Sequence, residues 1–225
     1  VTLSWFKGLL EEYRVYAPDT LGHPGYSDET RISAADESFA QWIADLMDHY
    51  KIEKCALIGP SYGGGIILRL AAFMPERIQC AVLVAPAGIS LGSKFKMIKE
   101  ILVPMIIYKI KGSAGSLRKI ADIMSSNSMK QLDESIIGNI FKHTTLEQEM
   151  PKLTTPEELK NYSAPTLVIS GTEDVFFPGN KISQKAEGLL GDKLELKKYQ
   201  MGHFPSTVHL DKIDADIKNF LNKHY

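Results

Sequence analysis

The segment Lys54–Pro75, KCALIGPSYGGGIILRLAAFMP, restricts the fold of this chain more than any other stretch. Its apolar run Cys55-Ala56-Leu57-Ile58 has the length of a buried strand, and Gly59-Pro60-Ser61-Tyr62-Gly63 then turns the chain sharply. From Gly64 to Pro75 apolar residues recur at helical spacing, and the proline marks the stop. The spacing therefore predicts strand, tight turn and helix, with a serine at the apex. Such a turn asks for glycine on both sides of Ser61, because a side chain at Gly59 or Gly63 would meet neighbouring backbone. Gly64 and Gly65 extend the small-residue stretch, so the helix can lie close to the sheet.

A bare G-x-S-x-G arises by chance, so its meaning depends on its surroundings. Ile78–Ala85 (IQCAVLVA) and Ala164–Ser170 (APTLVIS) are near-continuous apolar runs, as expected of parallel strands covered on both faces. Leu194–Tyr199 (LELKKY) reads as another strand, and Tyr13–Pro18 (YRVYAP) alternates well enough for one. Helices are predicted over Val1–Glu12, Ser33–Lys51, Lys181–Leu190 and Asp211–His224. Alternating strands and helices imply a doubly wound, mostly parallel α/β sheet. Between Leu91 and Asn161 no strand pattern occurs. The predicted organisation is an α/β core of residues 1–89 and 162–225, with 90–161 inserted as a helical cap.

Two loops complete the chemistry. After the strand ending at Ser170 comes Gly171-Thr172-Glu173-Asp174-Val175-Phe176-Phe177-Pro178, and after Tyr199 comes Gln200-Met201-Gly202-His203-Phe204-Pro205. In parallel α/β proteins, loops at the carboxyl ends of strands build the site. Ser61, Asp174 and His203 each follow a strand, in the order Ser, Asp, His. A serine hydroxyl needs a base to take its proton, histidine supplies one, and a carboxylate fixes the imidazole tautomer. Glu173 rivals Asp174, and the loop residue His23 is the main rival of His203. His49, His143 and His224 read as surface groups in or beside helices, and His209 falls near the start of the last helix.

With these residues in place, the chain resembles the α/β-hydrolase fold family over its whole length. YRVYAPDTLGHPGYSD is similar to the family's D-x-x-G-x-G-x-S segment, GPSYGG to its nucleophile elbow, GTEDVFFP to its acid loop and GHFP to its histidine loop. The resemblance implies a serine hydrolase that cleaves a small or medium, apolar carboxylic ester through an acyl-enzyme. Ser61 would attack, His203 shuttle the proton and Asp174 orient it, with the Tyr62 backbone N–H in the oxyanion hole. Pro60 stands where many relatives carry histidine, outside the triad. The family's earlier strands and its second oxyanion donor are expected ahead of Val1. Carbon–carbon bond hydrolases, thioesterases, aminopeptidases and haloperoxidases share this triad, and a triad-bearing ligand receptor or signalling module with little turnover is the reading from another class.

Composition narrows the partners. The chain has 225 residues and a net charge of −1, which gives no reason to expect nucleic acid. Cys55 and Cys80 lie in apolar runs without metal or redox spacing, and neither a metal nor an organic cofactor is expected. No apolar run reaches membrane-spanning length and no secretory signal is visible, so a cytoplasmic monomer or homodimer acting on a small-molecule ester is expected. Residues 90–120 hold seven basic groups against Glu100 alone, interleaved with apolar residues. That pattern suits either a membrane-surface helix or a lid whose apolar face covers a pocket while its lysines face water. The lid is favoured and membrane contact is not expected. Ile89, Phe95, Met105, Tyr108, Val175 and Phe176 are the candidates for lining the pocket.

Overall fold

A computed structural model describes residues 2–144 and 149–225. Val1 of the first predicted helix, and residues 145–148 of the predicted cap, lie outside the described residues. The elements run α1 (Ser38–His49), β1 (Cys55–Pro60), α2 (Tyr62–Phe73), β2 (Ile78–Val84), α3 (Lys94–Met97), α4 (Val103–Lys111), α5 (Ala114–Ser125), α6 (Gln131–His143), β3 (Thr166–Gly171), α7 (Gly179–Leu190), β4 (Leu194–Tyr199) and α8 (Thr207–His224).

The four strands form one parallel sheet in the order β1-β2-β3-β4. Each parallel step needs a crossover, and the segments between strands supply helices for it. Strand alternation sends successive side chains to opposite faces. In β2, Ile78, Ala81 and Leu83 join one apolar cluster with Leu70 of α2 and Ile182 of α7. Cys80, Val82 and Val84 join another with Ile213, Ile217 and Phe220 of α8. Both faces of the central strands are therefore covered, which explains why their sequences are apolar without a break. The doubly wound reading holds.

Two predicted elements differ. Tyr13–Pro18 forms no strand, and Val15 and Tyr16 are exposed. Alternation creates a strand only where a neighbour completes the ladder, and β1 pairs with β2 alone among the described residues. The first helix is a 3-10 segment, Thr2–Glu11, kinked at Phe6. It buries Trp5 and Leu9 and packs Phe6 against the same cluster as Leu9, while Leu3 and Leu10 stay half exposed.

Between β2 and β3 the described residues contain helices only. These helices share a cluster of their own, built on Ile101, Ile120, Met124, Met129 and Ile137. Val175 of the loop after β3 belongs to that cluster, and Phe176 and Phe204 pack against it. The helical segment is thereby seated on the loops that carry Asp174 and His203. No described helix is long and apolar enough to cross a membrane.

Candidate active site

Because all four strands run the same way, the residues following β1, β3 and β4 emerge at one edge of the sheet. Ser61 follows β1 directly and caps α2 with φ 51° and ψ −116°, a strained conformation for a residue with a side chain. The surroundings hold it there. Its N–H donates to the Val84 carbonyl at the end of β2 (2.8 Å), and its carbonyl accepts from the Ala87 N–H (3.0 Å). A Cβ on Gly59 would stand 2.5 Å from the Gly63 carbonyl group and 2.6 Å from the Gly64 nitrogen, so only glycine fits. Gly63 differs from expectation: a Cβ there meets nothing nearer than the Pro60 ring at 3.7 Å. The tight side of the turn is the strand side.

The loops after β3 and β4 are stitched together. Thr172 N–H donates to the Tyr199 carbonyl (2.9 Å) and Glu173 N–H to the Met201 carbonyl (3.1 Å). This brings Asp174 Oδ2 to 2.8 Å from His203 Nδ1, and His203 Nε2 to 2.9 Å from Ser61 Oγ. Asp174 Oδ1 accepts from the Phe176 and Phe177 N–H groups at 2.8 and 3.0 Å, an arrangement that an Asp in a turn favours. Both oxygens of this buried carboxyl are thus engaged. An ionised carboxylate only accepts, so Nδ1 carries the imidazole proton and Nε2 is left to accept from the serine hydroxyl.

His203 is 6% exposed, walled by the rings of Phe176, Phe177 and Phe204 at centroid distances of 5.0, 5.5 and 5.7 Å. Phe204 is held in turn by an edge contact with Trp5 (5.4 Å) and by its N–H bond to the Met124 carbonyl at the end of α5 (2.8 Å). The roles of Phe177, Phe204 and Trp5 escape sequence reading. Only the apolar neighbours of Asp174 and His203 hint at the first two.

The rivals go elsewhere. Glu173 is exposed, bonded to Gln200 Nε2 at 3.0 Å. Hydrogen bonds from Ser126 first and Gln200 second hold its carboxyl below the ordinary range. His23 lies against Tyr62 with ring centroids 4.7 Å apart and planes tilted by 54°, and His209 Nδ1 pairs with Ser206 Oγ at 2.8 Å. Tyr62, the residue expected to offer its N–H to the oxyanion hole, is the first residue of α2 and follows Ser61 directly.

The six candidates for the pocket are dispersed. Phe176 lies against His203; Val175 and Met105 belong to the cluster beneath the helical segment. Tyr108 directs its hydroxyl toward Gly138. Ile89 is buried in the main core, and Phe95 is 75% exposed on the outer side of its helix. No described cluster of His, Cys, Asp and Glu could hold a metal ion.

Sequence reading also missed a buried charge behind the elbow. Arg69 of α2, 1% exposed, donates from Nη1 to Glu158 Oε1 (2.8 Å) and from Nη2 to Thr154 Oγ1 (2.9 Å). Lys152 Nζ also reaches Glu158 Oε1 at 3.0 Å. The Arg69 guanidinium chiefly, with Lys152 and the Thr155 N–H, pulls the Glu158 carboxyl down to about 2. The elbow helix is thereby tied to the chain that returns from the helical segment.

A family model described as alpha/beta hydrolase fold matches residues 2–108. The chain is similar to an uncharacterized carboxylesterase of Bacillus subtilis (strain 168), with 23% identity over 225 residues, covering 97% of this chain and 74% of that protein. It is also similar to 2-hydroxymuconate semialdehyde hydrolase of Pseudomonas sp. (strain CF600), with 28% identity over 231 residues and coverage of 95% and 78%. Among solved structures, naproxen esterase from Bacillus subtilis matches with a TM-score of 0.77 at 21% identity, over 97% of this chain and 78% of that one. A meta-cleavage product hydrolase from Pseudomonas fluorescens IP01 matches with a TM-score of 0.76 at 21% identity, over 99% and 85%. At such identities the structural matches establish the shared fold.

Proposed function

This chain belongs to the alpha/beta hydrolase fold family and is a hydrolase, and from that premise we propose that it cleaves a small or medium, apolar carboxylic ester through an acyl-enzyme on Ser61. The observation that carries this reading is the unbroken hydrogen-bonded series Ser61 Oγ, His203 Nε2, His203 Nδ1 and Asp174 Oδ2, at 2.9 and 2.8 Å. Ser61 Oγ attacks the ester carbonyl carbon as His203 Nε2 takes its proton. The imidazolium then gives that proton to the departing alkoxide, which leaves as the alcohol. Water repeats the cycle: His203 removes a proton, hydroxide adds to the acyl carbon, and Ser61 regains its hydrogen as the carboxylic acid leaves. Asp174 keeps Nδ1 protonated throughout. The Tyr62 N–H is the proposed donor to the oxyanion.

The aromatic wall around His203 supports an apolar group on the substrate, with Val175, Phe176 and Met105 as its proposed lining. The helices between β2 and β3 act as a cap in this reading. Ser61→Ala should lower hydrolysis of a p-nitrophenyl ester by about 10⁴-fold or more, the scale of losing a triad nucleophile. Undiminished turnover would remove Ser61 from its role. Similarity to 2-hydroxymuconate semialdehyde hydrolase favours one second reading, a carbon–carbon bond hydrolase using the same triad. Offering the purified protein that semialdehyde beside the nitrophenyl ester, and comparing kcat/KM, separates the two.

A further inference from the structure

The helical chain from Lys94 to Lys111 passes from α3 through a π turn at Ile98–Leu102 into α4. The junction residues Ile98 and Val103 keep right-handed helical backbone, so the run is continuous. One side packs down: Ile101 and Pro104 are buried, and Met105 leans on the same cluster. On the other side Phe95, Ile98, Leu102, Ile106 and Ile110 follow at intervals of three or four residues, and they are 41–77% exposed. Scattered exposed apolar residues are ordinary, but five in one stripe are not. The helix is therefore apolar on its exposed side as well as on its packed side.

The charges around the stripe identify what fits it. Lys94, Lys96, Lys99, Lys109 and Lys111 are all exposed on this helix, and Glu100 is its only acid. Among the described residues only Lys96 of these makes an ion pair, at 3.9 Å to Glu100. A basic patch on a chain of net charge −1 is a local feature rather than a property of the whole surface. A second copy seated on this face would bring two sets of lysines together, which like-charge repulsion opposes. We propose that this face docks on an anionic phospholipid bilayer. Phe95, Ile98, Leu102, Ile106 and Ile110 enter the boundary between headgroups and acyl chains, and the lysines meet lipid phosphates. The helix lies on the surface and does not cross, in keeping with its length and charge.

The test is co-sedimentation of the full chain with phosphatidylcholine vesicles made with and without phosphatidylglycerol. The protein should pellet with the phosphatidylglycerol vesicles and stay largely in solution with the neutral ones. Ile106→Gln/Ile110→Gln should weaken the apparent affinity at least about tenfold, from the loss of two inserted side chains. Lys99→Ala/Lys109→Ala should weaken it by about tenfold or more, and added salt should do the same to the wild type. Both variants should keep the melting midpoint and the rate on a soluble nitrophenyl ester, since neither pair is placed in the site. Failure to pellet with anionic vesicles overturns the proposal. So does equal binding to both compositions, or a wild-type dimer that Ile106→Gln/Ile110→Gln converts to monomer.

Discussion

Two apolar helices follow successive strands of the sheet and end in different surroundings. In α2 eight consecutive residues, Gly64 to Ala71, are buried, an arginine among them. In the helix from Lys94 to Lys111, with a comparable supply of isoleucine, leucine and valine, only Ile101 and Pro104 are. Aliphatic content does not separate them; neighbours do. α2 lies between the sheet, α1 and the chain returning from the helical segment, whereas among the described residues the later helix has protein on one side only. Burial therefore follows from what the topology places around a helix, and the leftover apolar surface of the second helix is available for something outside the chain.

If that contrast is right, the severest effects belong to the elbow end of α2. Gly59→Ala should cost roughly 3 kcal/mol or more, because its Cβ would press on backbone that no rotamer change can move. Gly63→Ala should be nearly neutral for folding, since its Cβ meets only Pro60 at 3.7 Å. Urea melts of the two variants check this, and equal losses would break the account of the turn. Next in size, Leu70→Ala should cost about 3 kcal/mol, as it empties a fully buried site in the cluster that joins α2 to the sheet.

The buried Arg69 gives a smaller effect with a pH signature. Glu158→Gln should cost about 2 kcal/mol at neutral pH, because the guanidinium keeps a hydrogen-bond partner but loses its counter-charge. The Glu158 carboxyl is held near 2 in the folded protein, below its ordinary value of about 4.3. A depressed folded value means the stabilisation is complete above the unfolded value and lost as pH falls toward the folded one. Wild type should therefore lose stability between about pH 4.3 and 2 in part through this group. The difference between wild type and Glu158→Gln in urea midpoint should shrink over the same window. A constant difference would assign the effect to packing.

The same contrast explains what the sequence disclosed. Ile78–Ala85 and Thr166–Ser170 were legible because strands covered on both faces need apolar residues without interruption. The meeting of Ser61, Asp174 and His203 was legible because parallel strands send all three to one edge of the sheet. Tyr13–Pro18 misled, because alternation describes a side-chain pattern and not the presence of a pairing partner. The clamp of Arg69 by Glu158, 89 residues away, left no local mark. Nor could periodicity say which side of the Lys94–Lys111 helix packs, since apolar residues occur all around it.

The smallest expected effect is also the sharpest check on the comparison. Ile106→Ala on the exposed stripe removes the same kind of side chain as Leu70→Ala removes from the core. With 45% of its surface already in water and no cavity to leave behind, Ile106 should cost no more than about 0.5 kcal/mol. Alanine also favours the helix slightly over isoleucine, which pulls the net toward zero. Urea denaturation in the absence of lipid measures both variants on one scale. A loss at Ile106 approaching that at Leu70 would mean the stripe is covered by protein in the isolated chain, and the outward face would then be part of the core.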